Sequence, residues 1–164
     1  PWSYRHKTYT TKNGKGKFFA LSEMYPTLTL NEIKSFSIPA CTNAVWALWA
    51  TSPLLPEAFQ VIDAWRFTYK SSLVWDKQIL GMGYWFRIQH ELLLLSIKGE
   101  VNVPTIRPRS LLSVQRARHS EKPFQVRELL SSMFPTFHKI ELFARTTWPG
   151  WESHGHQVEQ MVFQ

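Results

Sequence analysis

Residues 43–50 have the sequence Asn43-Ala44-Val45-Trp46-Ala47-Leu48-Trp49-Ala50, in which every residue after the first is apolar. A run of this length and composition predicts a β-strand that is buried on both faces. Ser52 and Pro53 follow the run, and a cap residue followed by proline favours the start of a helix. We expect that helix from about Pro56 to Trp65. A strand and a helix therefore follow one another directly, as in the repeating unit of an α/β sheet.

Strands and helices continue to alternate on both sides of this unit. A short helix is predicted from Leu30, with Thr29 as its N-cap, and Arg66 stands where a left-handed glycine often ends a helix. The other predicted elements are strands over 67–75, 90–98 and 140–144, a helix over 120–133 and a long surface loop over 100–118. This order predicts a parallel-rich sheet with helices on both faces, which binds ligands beyond the carboxyl ends of its strands.

The composition suits one basic globular domain. The chain has 164 residues, and its 19 Lys and Arg exceed its 12 Asp and Glu, which gives a formal net charge of +7. That balance favours a polyanionic partner such as nucleic acid, although a basic enzyme without such a partner could have the same charge. The single cysteine excludes an intrachain disulfide and fits a reducing compartment. No apolar run is long enough to span a membrane.

Several common kinds of site lack their sequence signals. The segment 13–17 has glycines and lysines but not the spacing of a Walker loop, and no G-x-G-x-x-G motif is present. A nucleophile elbow is also absent. His154 and His156 form an H-x-H pair with no third ligand nearby in the sequence, so we expect no metal site.

Other segments are informative when they are taken in order. Pro1-Trp2 matches the second half of an Asp-Pro-Pro-Trp motif. The segments that follow it are Leu48-Trp49-Ala50-Thr51, Gly83-Tyr84-Trp85-Phe86-Arg87, His90-Glu91, His119-Ser120-Glu121-Lys122-Pro123 and Glu141-Leu142-Phe143-Ala144-Arg145. In this order they resemble the beta-class N6-adenine methyltransferases. That family includes the catalytic subunit of the eukaryotic mRNA adenosine methyltransferase and many phage and bacterial DNA enzymes, and the segments are closer to the phage and bacterial branch.

The resemblance implies a Rossmann-like class I methyltransferase sheet with helices on both faces. Residues 1–164 would form a single methyltransferase domain that is N-terminally incomplete, because the motif's Asp and a strand are expected before Pro1. The implied activity is transfer of a methyl group from S-adenosylmethionine to N6 of adenine in DNA. The alternatives are a catalytically inactive nucleic-acid-binding subunit of the same fold, an RNA N6-adenosine methyltransferase, and a single-strand binder without a cofactor.

Adenine chemistry explains why such residues suit the task. The exocyclic amine is a poor nucleophile, because its lone pair is shared with the ring, and acceptors aimed at its N–H bonds direct that lone pair toward the methyl group. By resemblance, Pro1 and Trp2 are catalytic. The residues expected to bind the substrate are Tyr4, Trp75, Lys77, Tyr84, Trp85, Arg87, His90 and Glu91. The residues expected to bind the cofactor are Ser120, Lys122, Glu141, Phe143, Arg145, Gly155, His156 and Gln157.

Lys122 has the most specific expected role at the cofactor. In the first turn of its predicted helix, with Ser120 as cap, it would offer a cation and a helix N-terminus to the carboxylate of S-adenosylmethionine. Arg145 and Gln157 match the family's ribose-binding positions, and Glu141 is expected to orient Arg145. His156 stands where the family usually has Asn. An imidazole cannot donate and accept hydrogen bonds in the way that one amide does, so cofactor affinity depends on the bonds that the imidazole makes.

The expected partner is nucleic acid, more specifically DNA, with an adenine that is flipped out of a duplex or already single-stranded. We expect no membrane association and either a monomer or a homodimer. The expected location is the cytoplasm, in a bacterial host cell if the protein is phage-encoded.

Overall fold

A computed structural model of the chain describes residues 2, 27–81, 83, 85–117, 121–155 and 158. The helices are α1 (Leu30–Ser35), α2 (Leu55–Ala64) and α3 (Gln125–Met133), and a 3-10 turn over Ser52–Leu54 precedes α2. The strands are β1 (Ala44–Ala50), β2 (Thr68–Asp76), β3 (His90–Lys98), β4 (Leu111–Ser113), β5 (Ile140–Leu142) and β6 (Glu152–His154). No helix among these described residues is long and apolar enough to cross a bilayer.

The N-cap predicted for α1 is confirmed. The Thr29 hydroxyl accepts the Glu32 backbone N–H at 3.3 Å, and the Glu32 carboxylate accepts the Thr29 backbone N–H at 2.7 Å. This reciprocal capping box satisfies two backbone donors at the helix start. The bonds from Thr29 lower the pKa of the Glu32 carboxyl, because they favour its ionised form.

The main sheet has the order β1-β3-β2-β4. β3 is antiparallel to both β1 and β2, whereas β2 and β4 are parallel. The predicted parallel-rich sheet is therefore wrong for the part of the chain that the structure describes, and the sheet is mixed. The physical reason is the connection over residues 77–89, a hairpin with no crossover helix, and a direct return of this kind makes neighbouring strands antiparallel. β1 and β2 still run in the same direction.

Alternation along β3 separates the two faces of this sheet. Leu94 packs into a core with Ala50 of β1 and with Ala58, Val61 and Ile62 of α2. On the opposite face, a cavity of about 500 Å³ lies between β3 and α3. Its walls include Leu93, Leu95, Ile97, Val126, Leu129 and Leu130. α2 and α3 thus lie on opposite faces. β1 is less buried than predicted, since only Ala50 is fully buried.

Several boundaries differ from the sequence expectations. α3 begins at Gln125 rather than near residue 120, so Lys122 precedes the helix and is not in its first turn. Pro123 accounts for this difference, because proline disfavours the helical conformation in the residue before it. β4 lies inside the predicted loop over 100–118, and β5 ends at Leu142 because Phe143 has a φ of 60°. The left-handed conformation suggested for Arg66 is confirmed, with a φ of 60°.

Candidate functional site

An aromatic pair lies at the edge of the sheet where β1 and β2 end and β3 begins. Trp49 is paired in register with Leu93 of β3, and Trp75 with Glu91. The Trp49 and Trp75 rings meet edge to face, with centroids 5.8 Å apart. Trp75 is only 2% exposed, and its indole N–H donates to the Val114 carbonyl at 2.8 Å. The pair is a rigid apolar floor at this edge.

Charged groups lie directly against this floor. The Lys122 ammonium is 5.4 Å from the Trp49 ring centroid and 6.0 Å from that of Trp75, within the range of cation–π attraction. It donates to Glu91 Oε2 at 2.5 Å, and Lys77 Nζ lies 3.4 Å from the other oxygen of Glu91. We call these five residues the sheet-edge cluster. Its ion pairs combine two ammonium groups with a single carboxylate.

Trp2 is attached to the same edge. Its indole N–H donates to the Trp49 backbone carbonyl at 3.1 Å, and its backbone forms a parallel bridge with Leu28. The predicted catalytic Trp2, the substrate residues Trp75, Lys77 and Glu91 and the cofactor residue Lys122 are therefore brought to one place. The bond to the Trp49 carbonyl is what holds Trp2 at this edge of the sheet, although Trp2 is far from the other residues in sequence.

His90 is adjacent to Glu91 but points to the other face of the sheet. Its Nε2 lies 3.0 Å from the Ser52 hydroxyl, at the start of the turn before α2. The distance is that of a hydrogen bond, with donor and acceptor set by the imidazole tautomer. His90 thus joins the ends of β1 and β3 from the face opposite the sheet-edge cluster.

Trp85 and Arg87, two residues that are predicted to bind the substrate, lie on the hairpin between β2 and β3 and not in the sheet-edge cluster. Trp85 is 95% exposed. Arg87 donates from Nε to the Gly81 carbonyl at 2.8 Å, a bond within this hairpin. Their binding to the substrate stays a prediction.

A second ionic arrangement lies between α3 and β5. The guanidinium of Arg127 makes two bonds to the Glu141 carboxylate, at 2.7 and 2.9 Å, and its Cζ is 5.6 Å from the Trp148 ring centroid. The expectation that Glu141 orients Arg145 stays a prediction, and Arg127 is a partner of Glu141 that was not expected. Periodicity does not indicate a contact between a helix residue and a strand residue 14 positions apart.

Three further residues that are predicted to bind the cofactor, Phe143, Arg145 and Gly155, follow the ends of the parallel strands β5 and β6. A Cβ on Gly155 would overlap the Ala144 carbonyl oxygen, and the Ala144 N–H donates to the His154 carbonyl at 2.9 Å. Gly155 is thus held beside the segment that carries Phe143 and the exposed Arg145. Phe143 is 39% exposed, with its ring centroid 5.9 Å from that of Phe36.

The predicted site residues and the residues that the structure places in these arrangements are not the same set. The predicted residues that lie outside the described ones are Pro1, Tyr4, Tyr84, Ser120, His156 and Gln157. Sequence reasoning did not assign Trp49, Ser52 or Arg127 to a site. For Trp49 a signal existed, because it lies, like Trp75, near the carboxyl end of a predicted strand. Within the described residues, no group of three His, Cys, Asp or Glu side chains is arranged to hold a metal ion.

Comparison with known proteins agrees with this arrangement. A type II methyltransferase, M.MunI of Mycoplasma sp, is 33% identical over 173 residues, which cover 96% of this chain and 74% of that protein. An MT-A70-like N(6)-adenosine-methyltransferase of Arabidopsis thaliana is 25% identical over 145 residues, which cover 82% of this chain but only 21% of that protein. The family model described as MT-A70 matches residues 1–157. The resemblance noted in the sequence is thereby confirmed, and the chain belongs to the MT-A70 family.

Proposed function

We propose that this protein transfers a methyl group from S-adenosylmethionine to N6 of an adenine in DNA. The observation that carries the proposal is the sheet-edge cluster, in which Lys122 lies over Trp49 and Trp75, together with the bond from the Trp2 indole to the Trp49 carbonyl. It joins a cation, a buried aromatic floor and the motif tryptophan. These are the groups that an anionic cofactor end and a planar base require.

The described residues fit S-adenosylmethionine at two places. Its carboxylate suits the sheet-edge cluster, because two ammonium groups share one carboxylate there and leave a surplus positive charge. Its ribose hydroxyls suit the segment after β5, where Phe143 has a left-handed backbone and Gly155 lies against the backbone of Ala144, the residue before Arg145. When bound, the cofactor supplies an electrophilic methyl group.

The chain's own residues would hold and orient the base. Trp2, anchored through its indole N–H to the Trp49 carbonyl, offers its ring face as a stacking platform. Backbone acceptors near Pro1 would receive the adenine N–H bonds, which keeps the amine lone pair aimed at the methyl group. Lys77 and Glu91, at the same edge, would border the base and limit its orientation.

The Rossmann-like assignment is part of this proposal. β1 and β2 run in the same direction, α2 and α3 lie on opposite faces, and the chemistry-bearing residues gather where β1 and β2 end. Doubly wound sheets bind ligands at that edge and often contain an antiparallel strand. DNA is favoured over RNA because identity is higher to the type II methyltransferase, at 33%, than to the adenosine methyltransferase, at 25%.

The test is transfer of a radiolabelled methyl group by the full-length protein to matched duplex and single-stranded DNA and RNA. Nucleoside digestion and mass spectrometry then identify the product. We expect N6-methyladenine, with more product from DNA. Cofactor binding without transfer to any substrate would indicate the inactive subunit, and a product confined to RNA would overturn the DNA assignment.

Two variants of Trp2 make the test specific for the site. Trp2→Ala should lower transfer by about 100-fold, since the platform is lost, while S-adenosylmethionine affinity changes by less than about threefold. Trp2→Phe keeps a ring and removes the indole bond to Trp49, so it should retain most of the activity. Equal losses of transfer and cofactor affinity in Trp2→Ala would mean that the residue only supports the fold.

A further inference from the structure

The hairpin between β2 and β3 exposes two neighbouring aromatic side chains. Trp85 is 95% exposed and Phe86 is 85% exposed, the two highest values among the large hydrophobic residues in the described part of the chain. Single exposed apolar residues are ordinary, but two consecutive aromatic residues that are both almost fully exposed favour contact with a partner. The hairpin tip, defined here as Trp85 and Phe86, is therefore a candidate binding element.

The backbone that presents the tip has a defined shape. Lys77 N donates to the Gln89 carbonyl at 2.8 Å, and Gly81 N donates to the Ile88 carbonyl at 3.0 Å. A Cβ on Gly83 would overlap the Phe86 carbonyl oxygen, so the chain reverses more tightly there than another residue type would allow. With the Arg87 side chain bound to the Gly81 carbonyl, these contacts close a compact turn that places both rings at its outer end.

The tip extends from the edge that carries the sheet-edge cluster. The hairpin leaves β2 at Asp76, next to Trp75, and enters β3 at His90, next to Glu91. Both rings are thus carried on a connection whose two ends adjoin the cluster. Arg87 follows the two rings directly, and the chain carries a net charge of +7, so the surroundings favour a polyanion over an uncharged apolar surface.

An adenine inside a duplex cannot reach a buried site unless it leaves the base stack. Proteins that open a stack commonly insert apolar side chains between neighbouring base pairs, where the rings replace the lost stacking. Aromatic rings suit this role because they stack on any base. An exposed Trp-Phe pair on a stiff turn has the shape and chemistry for such insertion.

We propose that Trp85 and Phe86 form a wedge that enters a DNA duplex beside the target adenine and fills the space it leaves. The proposal rests on the proposed function and deepens it by assigning duplex DNA as the substrate class. On single-stranded DNA no stack has to be opened, so the wedge is dispensable there.

The experiment compares the wild type with the Trp85→Ala/Phe86→Ala double variant on three matched substrates. These are a duplex, the isolated strand, and a duplex with an abasic site opposite the target adenine. In the double variant kcat/KM should fall by about 30-fold on the duplex and by less than about threefold on the single strand. The abasic partner should restore most of the loss. Ile106→Ala, which removes an exposed apolar side chain on a different loop, should behave as the wild type.

A second readout does not depend on methyl transfer. Duplex DNA with 2-aminopurine at the target position should become more fluorescent when the wild type binds, and far less so with the double variant at equal saturation. Equal losses of kcat/KM on duplex and single strand, or an unchanged fluorescence rise in the double variant, would overturn the wedge. So would a change from dimer to monomer in sedimentation, which would show that the tip docks a second copy. If the wild type methylates no substrate, the proposed function fails, and the fluorescence experiment still decides on the wedge.

Discussion

The sheet-edge cluster and the Arg127–Glu141 pair are both partly buried ionic arrangements beside tryptophans, but they differ in charge balance. Arg127 and Glu141 match one to one, with two parallel bonds and side chains 14% and 26% exposed. In the sheet-edge cluster Glu91 serves both Lys77 and Lys122. The first arrangement is closed, whereas the second retains a positive charge that an anionic ligand can neutralise.

The difference in charge balance is what we expect between an ion pair that supports the fold and one that binds a ligand. In a bidentate, balanced pair, the attraction between the two charges offsets the free-energy cost of removing them from water. No net charge remains that could attract a ligand. An unbalanced cluster over aromatic rings holds its cations in place without neutralising them. Removing a member of each arrangement should therefore affect different measurements.

The largest expected effect is on stability, from Arg127→Met. This change leaves the Glu141 carboxylate partly buried without its partner, which should lower the free energy of unfolding by about 2–3 kcal/mol. Denaturant unfolding measures the loss. The double variant Arg127→Met/Glu141→Leu should recover most of it, because no unpaired charge remains. Cofactor affinity should stay within about twofold of the wild type, and a larger loss would contradict the division between the two arrangements.

Lys122→Met should show the opposite pattern. S-adenosylmethionine affinity, measured by calorimetry, should fall by about tenfold because a charge-assisted hydrogen bond is lost. The fold should persist, since Glu91 keeps Lys77 as a partner. Lys139→Met is the matched control, because Lys139 bonds only to the nearby Phe137 carbonyl in the described contacts and lies outside the cluster. Unchanged affinity in Lys122→Met would remove the cofactor carboxylate from this site.

Glu32 is a carboxylate that belongs to neither arrangement, and the loss of its capping box should have a smaller effect on stability. Thr29→Ala removes the side-chain half of the capping box and should lower the unfolding midpoint by about 2–4 °C at pH 7. Because the folded pKa of Glu32 lies below its ordinary value of 4.5, its contribution is present above that value and is lost as the pH falls through the folded pKa. Thermal unfolding of both proteins from pH 7 to pH 3 should show the difference shrinking at the acidic end. A difference that grows with acidity would contradict the assignment.

Lys77→Met should have the smallest effect. Lys77 lies farther from Glu91 than Lys122 does, 3.4 Å against 2.5 Å. Its removal should lower cofactor affinity by about twofold at low salt and less at high salt, because screening already weakens its long-range contribution. Calorimetry at two ionic strengths measures this. A loss as large as that of Lys122→Met would show that both ammonium groups contact the ligand.

Local patterns in the sequence predicted the parts of the fold that depend on neighbouring residues. The position of β1 in the chain, the N-cap at Thr29 and the bounds of β3 at His90 and Lys98 agree with expectation, since each rests on periodicity or on a side chain within a few positions. The family resemblance indicated Trp2, Trp75 and Lys122, which the structure brings to the same edge of the sheet through Trp49, and their roles there stay predictions.

Features that depend on distant partners were not predicted. The insertion of β3 between β1 and β2, and the parallel pairing of β5 with β6, depend on which strands meet in space, and periodicity carries no such information. The ion pair of Glu141 with Arg127 was not predicted for the same reason. Lys122 was predicted in the first turn of α3 but lies before the helix, which begins at Gln125. The prediction took Pro123 as part of the first helical turn.

The position of β3 between two antiparallel partners has a consequence for how the site can open. Backbone pairing to β1 and β2 on both sides encloses the amides of Leu92 to Leu95, so their exchange with solvent deuterium requires the whole sheet to come apart. Glu91 lies at the start of this strand. The carboxylate that contacts both lysines is therefore held by a strand that is paired on both sides in the described sheet, so the two ion pairs should keep their geometry for as long as the sheet does.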